Sequence, residues 1–152
     1  MYPVYFLLLG AVLGVLQILF TGAGAVQAFL LGFIVSNVGL QGIFAFLGHF
    51  FRSDEAARGI GWPEGNPFQK EIAFTNLSLG VLGVMSIWFH GEFWLATIVA
   101  RSVFTWGAGC IHAADLKRRK NVSVFNAGPV LWFDILYPFL IIGLYAAWAA
   151  GA

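Results

Sequence analysis

Ionisable and amide side chains lie inside several long apolar segments of this chain, where they could do chemistry. Six of them fall at a similar depth, within roughly the first 10 Å from one end of their segments if each residue rises about 1.5 Å along a helix. We call this set the inner polar layer, and it consists of His49, Glu71, Asn76, His112, Asp115 and Asp134. Apolar segments tolerate such groups where protein or water surrounds them. We therefore expect the six side chains to face one another.

The inner polar layer has the chemistry of more than one kind of site. Imidazoles and carboxylates bind Zn, Mn or non-haem Fe, and the candidate ligands of such a divalent metal are His49, Glu71, His112 and Asp134. The same groups could relay protons, because buried carboxylates and histidines can change protonation near neutral pH. They could also be wetted by water or join helices by hydrogen bonds. The chain has neither HExxH nor a Glu-x-x-His pair, so spacing does not decide among these alternatives.

A second polar set lies deeper in the apolar segments. Gln17, Ser86 and Arg101 share a level about 20 Å from the same end, and we call them the outer polar layer. Arg101 could extend its side chain to the membrane surface. If it faces inward, Gln17 and Ser86 are neutral partners that leave its charge available to an anion.

The composition indicates a membrane protein. Of 152 residues, 60% are hydrophobic and 10% are charged, whereas soluble domains carry about 25% charged residues. The single cysteine, Cys110, excludes an intrachain disulfide and a site built from several cysteines. No Lys or Arg precedes the first apolar segment, which predicts a retained helix in place of a cleaved signal peptide.

Five segments have the length and apolar character of a membrane-spanning helix, which needs about 20 residues. They are Pro3–Thr21, Val26–Phe51, Pro67–Phe89, Phe93–Leu116 and Pro129–Trp148. The prediction is an all-α fold in which residues 1–152 form a single bundle of five transmembrane helices.

The cations predict how this bundle is oriented. Of eight Lys and Arg, seven belong to two connections on the same side, Arg52 to Lys70 and Lys117 to Lys120. Cytoplasmic loops are enriched in Lys and Arg, so we expect the N-terminus inside and Ala152 outside, in the plasma (inner) membrane. A basic run in a short membrane loop fits this role or contact with anionic lipid. The lipid bilayer is then the expected partner, and nucleic acid is not.

The stretch GWPEGNPFQKE, residues 61–71, contains the start signals of a helix. Asn66 is a candidate N-cap, Pro67 suits the first helical position, and Gln69 is placed to reach back to the cap. Upstream, Ser53-Asp54-Glu55 could begin a short interfacial helix.

Three motifs resemble one family. GWPEGNPFQKEIAFTNLSLGVLG, the upstream Gly48-His49 and the downstream NAGPVLWFDILYP are similar to a family of small, uncharacterised prokaryotic integral membrane proteins with a GWP-x-G-x-PFQ-x-E motif. The resemblance implies a helical bundle in the plasma membrane. It gives weight to six positions, which are His49, Glu71, Asn76, His112, Asn126 and Asp134.

The first hypothesis for function is a transporter-like protein whose inner polar layer handles protons, an ion or a small polar molecule. An alternative is a structural or accessory subunit of a larger membrane complex. A further alternative is a metal-dependent membrane enzyme that uses the same histidines and carboxylates. A homo-oligomer is compatible with each.

Overall fold

The computed structural model describes residues 2–151, which fold into helices without any strand. Five of these helices are long, and a short one follows the second. Their bounds are α1 Tyr2–Thr21, α2 Ala25–Phe51, α3 Ser53–Ile60, α4 Phe68–Met85, α5 Glu92–Arg119 and α6 Pro129–Ala149. The all-α prediction is confirmed, and so is the short helix that begins at Ser53.

Four helices, α1, α2, α5 and α6, are long and apolar enough to cross a membrane. The prediction of five transmembrane helices is therefore wrong by this measure, and α4 is the helix that falls short. Its first turn holds Gln69, Lys70 and Glu71, and the helix ends at Met85, before the apolar Ile87–Phe89 that the sequence segment included. The polar residues of the first turn lower the mean hydropathy of α4, and the apolar residues Ile87–Phe89 do not belong to the helix.

The helix start predicted for α4 is confirmed in part. Asn66 Oδ1 accepts a hydrogen bond from Phe68 N (3.0 Å), which is the contact expected of a capping side chain. Pro67 directly precedes the first helical residue. Gln69 does not reach back to Asn66, because its side chain bonds to another helix.

The two connections that are rich in Lys and Arg meet at one end of the bundle, which we call the cationic end. Phe125 N donates to Gly59 O (3.1 Å), so residues 117–128 lie against α3. The Tyr2 ring packs 5.9 Å from the Phe125 ring, which places the start of α1 here as well. The short connections therefore lie at the opposite end.

Trp94 and Trp148 pack against each other at that opposite end. Trp94 Nε1 donates to Ser86 O (2.9 Å), and the Trp94 ring packs 5.0 Å from that of Trp148. The ends of α4 and α6 therefore lie beside the start of α5. Ala152, which we expected on this side of the membrane, lies outside the described residues.

Glycines allow α2 and α4 to approach closely. A Cβ at Gly42 would lie 2.8 Å from Asn76 O and 2.9 Å from Gly80 Cα, and one at Gly80 would lie 2.9 Å from Ile43 N. Since backbone atoms cannot withdraw as a flexible side chain can, a larger residue at either position would force the helices apart.

A π-helical segment, Ile34–Leu40, divides α2 into two parts. Ala25–Phe33 packs mainly on α1 and α6, whereas Gln41–Phe51 packs mainly on α4. Between them, Ser36 Oγ donates to Phe6 O in α1 (2.6 Å). The wider turn thus lies where α2 changes its neighbours.

Candidate functional site

At the cationic end, Asp115 lies in a hydrogen-bonded network. Its residue is 7% exposed, and Oδ2 accepts hydrogen bonds from Trp62 Nε1 (3.0 Å) and Asn121 Nδ2 (2.7 Å). Oδ1 accepts a hydrogen bond from Arg119 Nε. Both oxygens are therefore occupied by protein donors, so this carboxylate holds the loops in place.

His112 belongs to the same network. Its Nδ1 is 2.8 Å from Asn126 Oδ1, and Asn126 Nδ2 donates to Asn121 O (2.8 Å). The imidazole stacks on the Trp62 ring with 5.5 Å between ring centres. This arrangement joins α5 to the loop 117–128 and to the connection before α4. Trp62 and Asn121 were missed as partners, although each lies beside a motif singled out in the sequence.

His49 lies apart from His112. Its Nδ1 is 2.7 Å from Gln69 Oε1, which joins the end of α2 to the start of α4. A cavity of about 300 Å³ opens beside this pair and is also lined by Trp62 and Arg119. His49 and His112 thus face different surroundings.

The other two members of the inner polar layer on α4 do not enter a shared site. Asn76 is buried, but its Nδ2 donates to Ile72 O (2.9 Å) in its own helix. Glu71 is exposed, and its side chain makes neither a hydrogen bond nor an ion pair with any residue from 2 to 151. The inner polar layer is therefore dispersed, because residues at one depth point in different directions around their helices.

The candidate metal centre is not formed by the described part of the chain. His49, Glu71, His112 and Asp134 do not converge, and no three His, Cys, Asp or Glu side chains among residues 2–151 come together in a way that could hold a metal ion. A divalent metal at these four residues therefore stays a prediction that the arrangement of the described side chains does not support.

Arg101 is the most unusual charged residue in the bundle core. It is 3% exposed, and its guanidinium carbon lies 6.0 Å from the centre of the Phe104 ring and 5.8 Å from that of Phe133. Within residues 2–151 it has no salt bridge, and its buried Nε has no hydrogen-bond partner. Its head is therefore held between aromatic rings with unused donor capacity.

Asp134 is a buried carboxylate on α6 that directly follows Phe133, the ring that packs on Arg101. It is 7% exposed, and it forms no salt bridge with Arg101 among the described residues. The α5 and α6 backbones come close at Gly109, where a Cβ would lie 3.3 Å from Asp134 Cβ. Among the described residues Asp134 makes no side-chain hydrogen bond. Two opposite charges thus share the core without bonding.

The outer polar layer is also dispersed. Gln17 Nε2 reaches Ala28 O (3.4 Å) across the α1–α2 contact, and Ser86 Oγ donates to Leu82 O (3.0 Å) in its own helix. Arg101 instead extends towards the cationic end, because Phe104 is one turn further along α5 and Phe133 lies near the start of α6. Gln17, Ser86 and Arg101 therefore make no hydrogen bonds to one another within residues 2–151, and Arg101 packs on Phe133 instead.

An apolar cleft lies between α1 and α6, next to this pair of charges. It encloses about 500 Å³, and its lining includes Pro3, Leu7 and Trp132. Phe133 and Tyr137 also line it, and Phe133 is the ring that packs on Arg101. The aromatic side chains therefore form a thin wall between the cleft and the buried guanidinium.

Fold and site together define an all-helical bundle with four helices able to cross a membrane and, in its core, a cation that has no ion pair among residues 2–151. The chain belongs to a family of unknown function, DUF6790, whose model matches residues 1–151. This confirms the predicted membership of an uncharacterised family. That its members share the GWP-x-G-x-PFQ-x-E motif stays a prediction. No curated protein and no solved structure matches the chain.

Proposed function

We propose that this protein is a transporter-like membrane protein that handles protons, an ion or a small polar molecule at Arg101 and Asp134. The observation that carries the proposal is the buried state of Arg101, which has no ion pair among residues 2–151. The site thus lies in the core between α5 and α6, and the dispersed inner polar layer is not its basis.

The energetic argument concerns the free energy of placing a charge in a membrane. An arginine at the centre of a membrane helix costs about 2.5–3.5 kcal/mol on insertion scales. A buried pair offsets such a cost when its geometry is good and its remaining donors are satisfied. Neither condition is met by Arg101, whose Nε is unsatisfied. The Phe104 and Phe133 rings offset part of this cost, and a charged partner that binds Arg101 would offset more of it.

Asp134 is suited to respond to such a partner. It is buried, has no side-chain hydrogen bond among residues 2–151, and is next to Phe133, which packs on Arg101. A proton or cation that neutralised Asp134 would leave Arg101 free for an anion. An anion at Arg101 would, by the same attraction and repulsion, favour protonation of Asp134.

The cleft between α1 and α6 supports access from the side. Phe133 lines the cleft and packs on Arg101, so a change in the conformation of this ring would connect the two. We place the protein in the plasma membrane with the cationic end in the cytoplasm, following the distribution of Lys and Arg. The bilayer is its surrounding partner, and a homo-oligomer is compatible with the lipid-facing apolar surface.

The test is flux through purified protein in liposomes. A pH-sensitive dye inside the vesicles reports proton flux, and ion-selective electrodes report chloride and phosphate. We expect wild type to carry at least one of these, and Arg101→Gln and Asp134→Asn to lower that flux at least tenfold. The matched controls are Arg118→Gln and Glu71→Gln, because each makes the same change on an exposed side chain.

Two results would refute the proposal. The first is well-folded wild-type protein that carries none of the three ions. The second is equal flux in the core variants and their controls, which would favour the accessory-subunit alternative.

A further inference from the structure

The cavity of about 300 Å³ at the cationic end is separate from Arg101 and Asp134. It lies where α2 ends and α4 begins, and its polar lining comes from His49, Trp62, Asn66, Gln69 and Arg119. Phe68 contributes to an apolar wall. The cavity has the size to admit a small polar group with part of an apolar body attached.

Each of the two amides in this lining accepts a hydrogen bond through its oxygen, and neither NH₂ group has a partner among residues 2–151. Gln69 Oε1 is 2.7 Å from His49 Nδ1, and Asn66 Oδ1 accepts a hydrogen bond from Phe68 N (3.0 Å). Each amide therefore has its NH₂ group left for a ligand. In that arrangement His49 donates through Nδ1, and its other ring nitrogen becomes a donor when the imidazole is protonated.

Arg119 contributes a positive charge to the lining of the cavity. Its Nε bonds to Asp115, while its two terminal nitrogens have no partner in the described chain. Asp115 itself does not line the cavity, and neither does any other carboxylate of residues 2–151. The Trp62 indole donor is already bound to Asp115 Oδ2 (3.0 Å). The lining thus offers several donors and one guanidinium but no opposing carboxylate.

We infer that this cavity binds an anionic phosphate group. Phosphate presents several acceptor oxygens and pairs well with guanidinium, so it matches the amide NH₂ groups and the Arg119 guanidinium of this lining. The neighbouring run Lys117–Lys120 raises the local concentration of anions at this end. The same chemistry is supplied by a lipid headgroup or by a soluble phosphate, and both can reach the cationic end.

Gln69→Glu is the sharpest test of this inference. It keeps the shape of the side chain and an acceptor for His49, but it replaces the donor with a carboxylate that repels phosphate. Lys70→Gln is the matched control, since it also lowers the net charge by one at the adjacent position, which is exposed and outside the lining. Gln69→Met, which removes the donor without adding charge, serves if the glutamate variant does not fold.

Binding is measured on the purified full chain in an uncharged detergent, by native mass spectrometry and by the shift in melting temperature. The probes are inorganic phosphate and dioctanoyl phosphatidylglycerol, with dioctanoylglycerol as the lipid that lacks phosphate. We expect wild type and Lys70→Gln to bind at least one phosphate probe. We expect Gln69→Glu to bind it about tenfold more weakly or worse, the loss expected for one hydrogen bond to a charged group.

The two probes distinguish the sources. Binding of both indicates a site for the phosphate group itself, and binding of phosphatidylglycerol alone indicates a lipid headgroup. The inference is overturned if neither probe binds, if dioctanoylglycerol binds equally well, or if both Gln69 variants bind like wild type. None of these results depends on flux, so the inference and the proposed transport function can fail separately.

Discussion

Replacing Asn126 with alanine is expected to destabilise the bundle more than any other single amide truncation at the cationic end. Asn126 is fully buried. Its Oδ1 is 2.8 Å from His112 Nδ1, and its Nδ2 donates to Asn121 O (2.8 Å) and more weakly to His112 O (3.4 Å). Asn126→Ala removes these bonds and leaves a buried imidazole nitrogen and a loop carbonyl without partners.

The magnitude follows from the groups left behind. A hydrogen bond contributes about 0.5–1.5 kcal/mol net, whereas leaving a buried donor or acceptor unsatisfied costs about 1–3 kcal/mol. Two strong bonds are lost, and water can reach the loop carbonyl more easily than the imidazole. We therefore expect the free energy of unfolding to fall by about 2–4 kcal/mol.

The assay is reversible unfolding by a denaturing detergent in mixed micelles, followed by circular dichroism. Asn66→Ala is the matched control, because the same substitution there removes one exposed capping bond and should cost about 1 kcal/mol. His112→Phe keeps a ring against Trp62 and removes the nitrogen partner. In that background the cost of Asn126→Ala should shrink by about 1 kcal/mol.

A cost of Asn126→Ala no larger than that of Asn66→Ala would refute this reasoning. It would mean that water replaces the lost bonds, so the network would not hold the loop in place. An unchanged cost in the His112→Phe background would assign the effect to packing alone.

Three further predictions use other features. In a cysteine-free background, a membrane-impermeant reagent added outside cells should label a cysteine at Glu92 and spare one at Glu64; the reverse pattern would invert the orientation. Gly42→Ala should lower the free energy of unfolding by about 1–3 kcal/mol, because its Cβ meets the backbone of α4. Gly107→Ala, which faces open space, should raise the free energy of unfolding by up to about 1 kcal/mol. Equal effects of the two substitutions would contradict the close helix contact. Elemental analysis should find less than one divalent metal ion per chain, and a stoichiometric metal would restore the enzyme hypothesis.

Local patterns in the sequence predicted the helices well. Asn66 and Pro67 marked the start of α4 because capping depends on neighbouring residues alone. The length of α4 was overestimated, because a run of apolar residues continues through Ile87–Phe89 while the helix ends at Met85. Local sequence does not show that Ser86 O accepts a hydrogen bond from Trp94 Nε1 of α5, just after the helix ends.

The candidate site was predicted less well, for a geometrical reason. Counting residues gives the depth of a Cα atom but neither the direction around the helix nor the reach of a long side chain. Glu71 and Asn76 were placed at similar depth, yet one is exposed and the other is buried. Arg101 begins deep in the bundle, but its guanidinium extends a turn towards the cationic end, where it packs on the Phe104 and Phe133 rings.

The role of Trp62 shows a second limit. Its ring stacks on His112, and its indole nitrogen donates to Asp115 Oδ2. These partners are 50 and 53 residues away along the chain. Contacts at such separation follow from the way the bundle closes, and no local pattern contains that information.

The π-helical segment Ile34–Leu40 separates two parts of α2 that pack on different helices. An ordinary α-helix turns about 100° per residue, so one extra residue in a wide turn sets the faces before and after it out of phase by that angle. Ala25–Phe33 can therefore face α1 and α6 while Gln41–Phe51 presents Gly42 to α4. The segment also contacts both neighbours itself, through Ser36 to Phe6 of α1 and through Gly39 against Gly83 of α4, so it fixes the angle between the two faces.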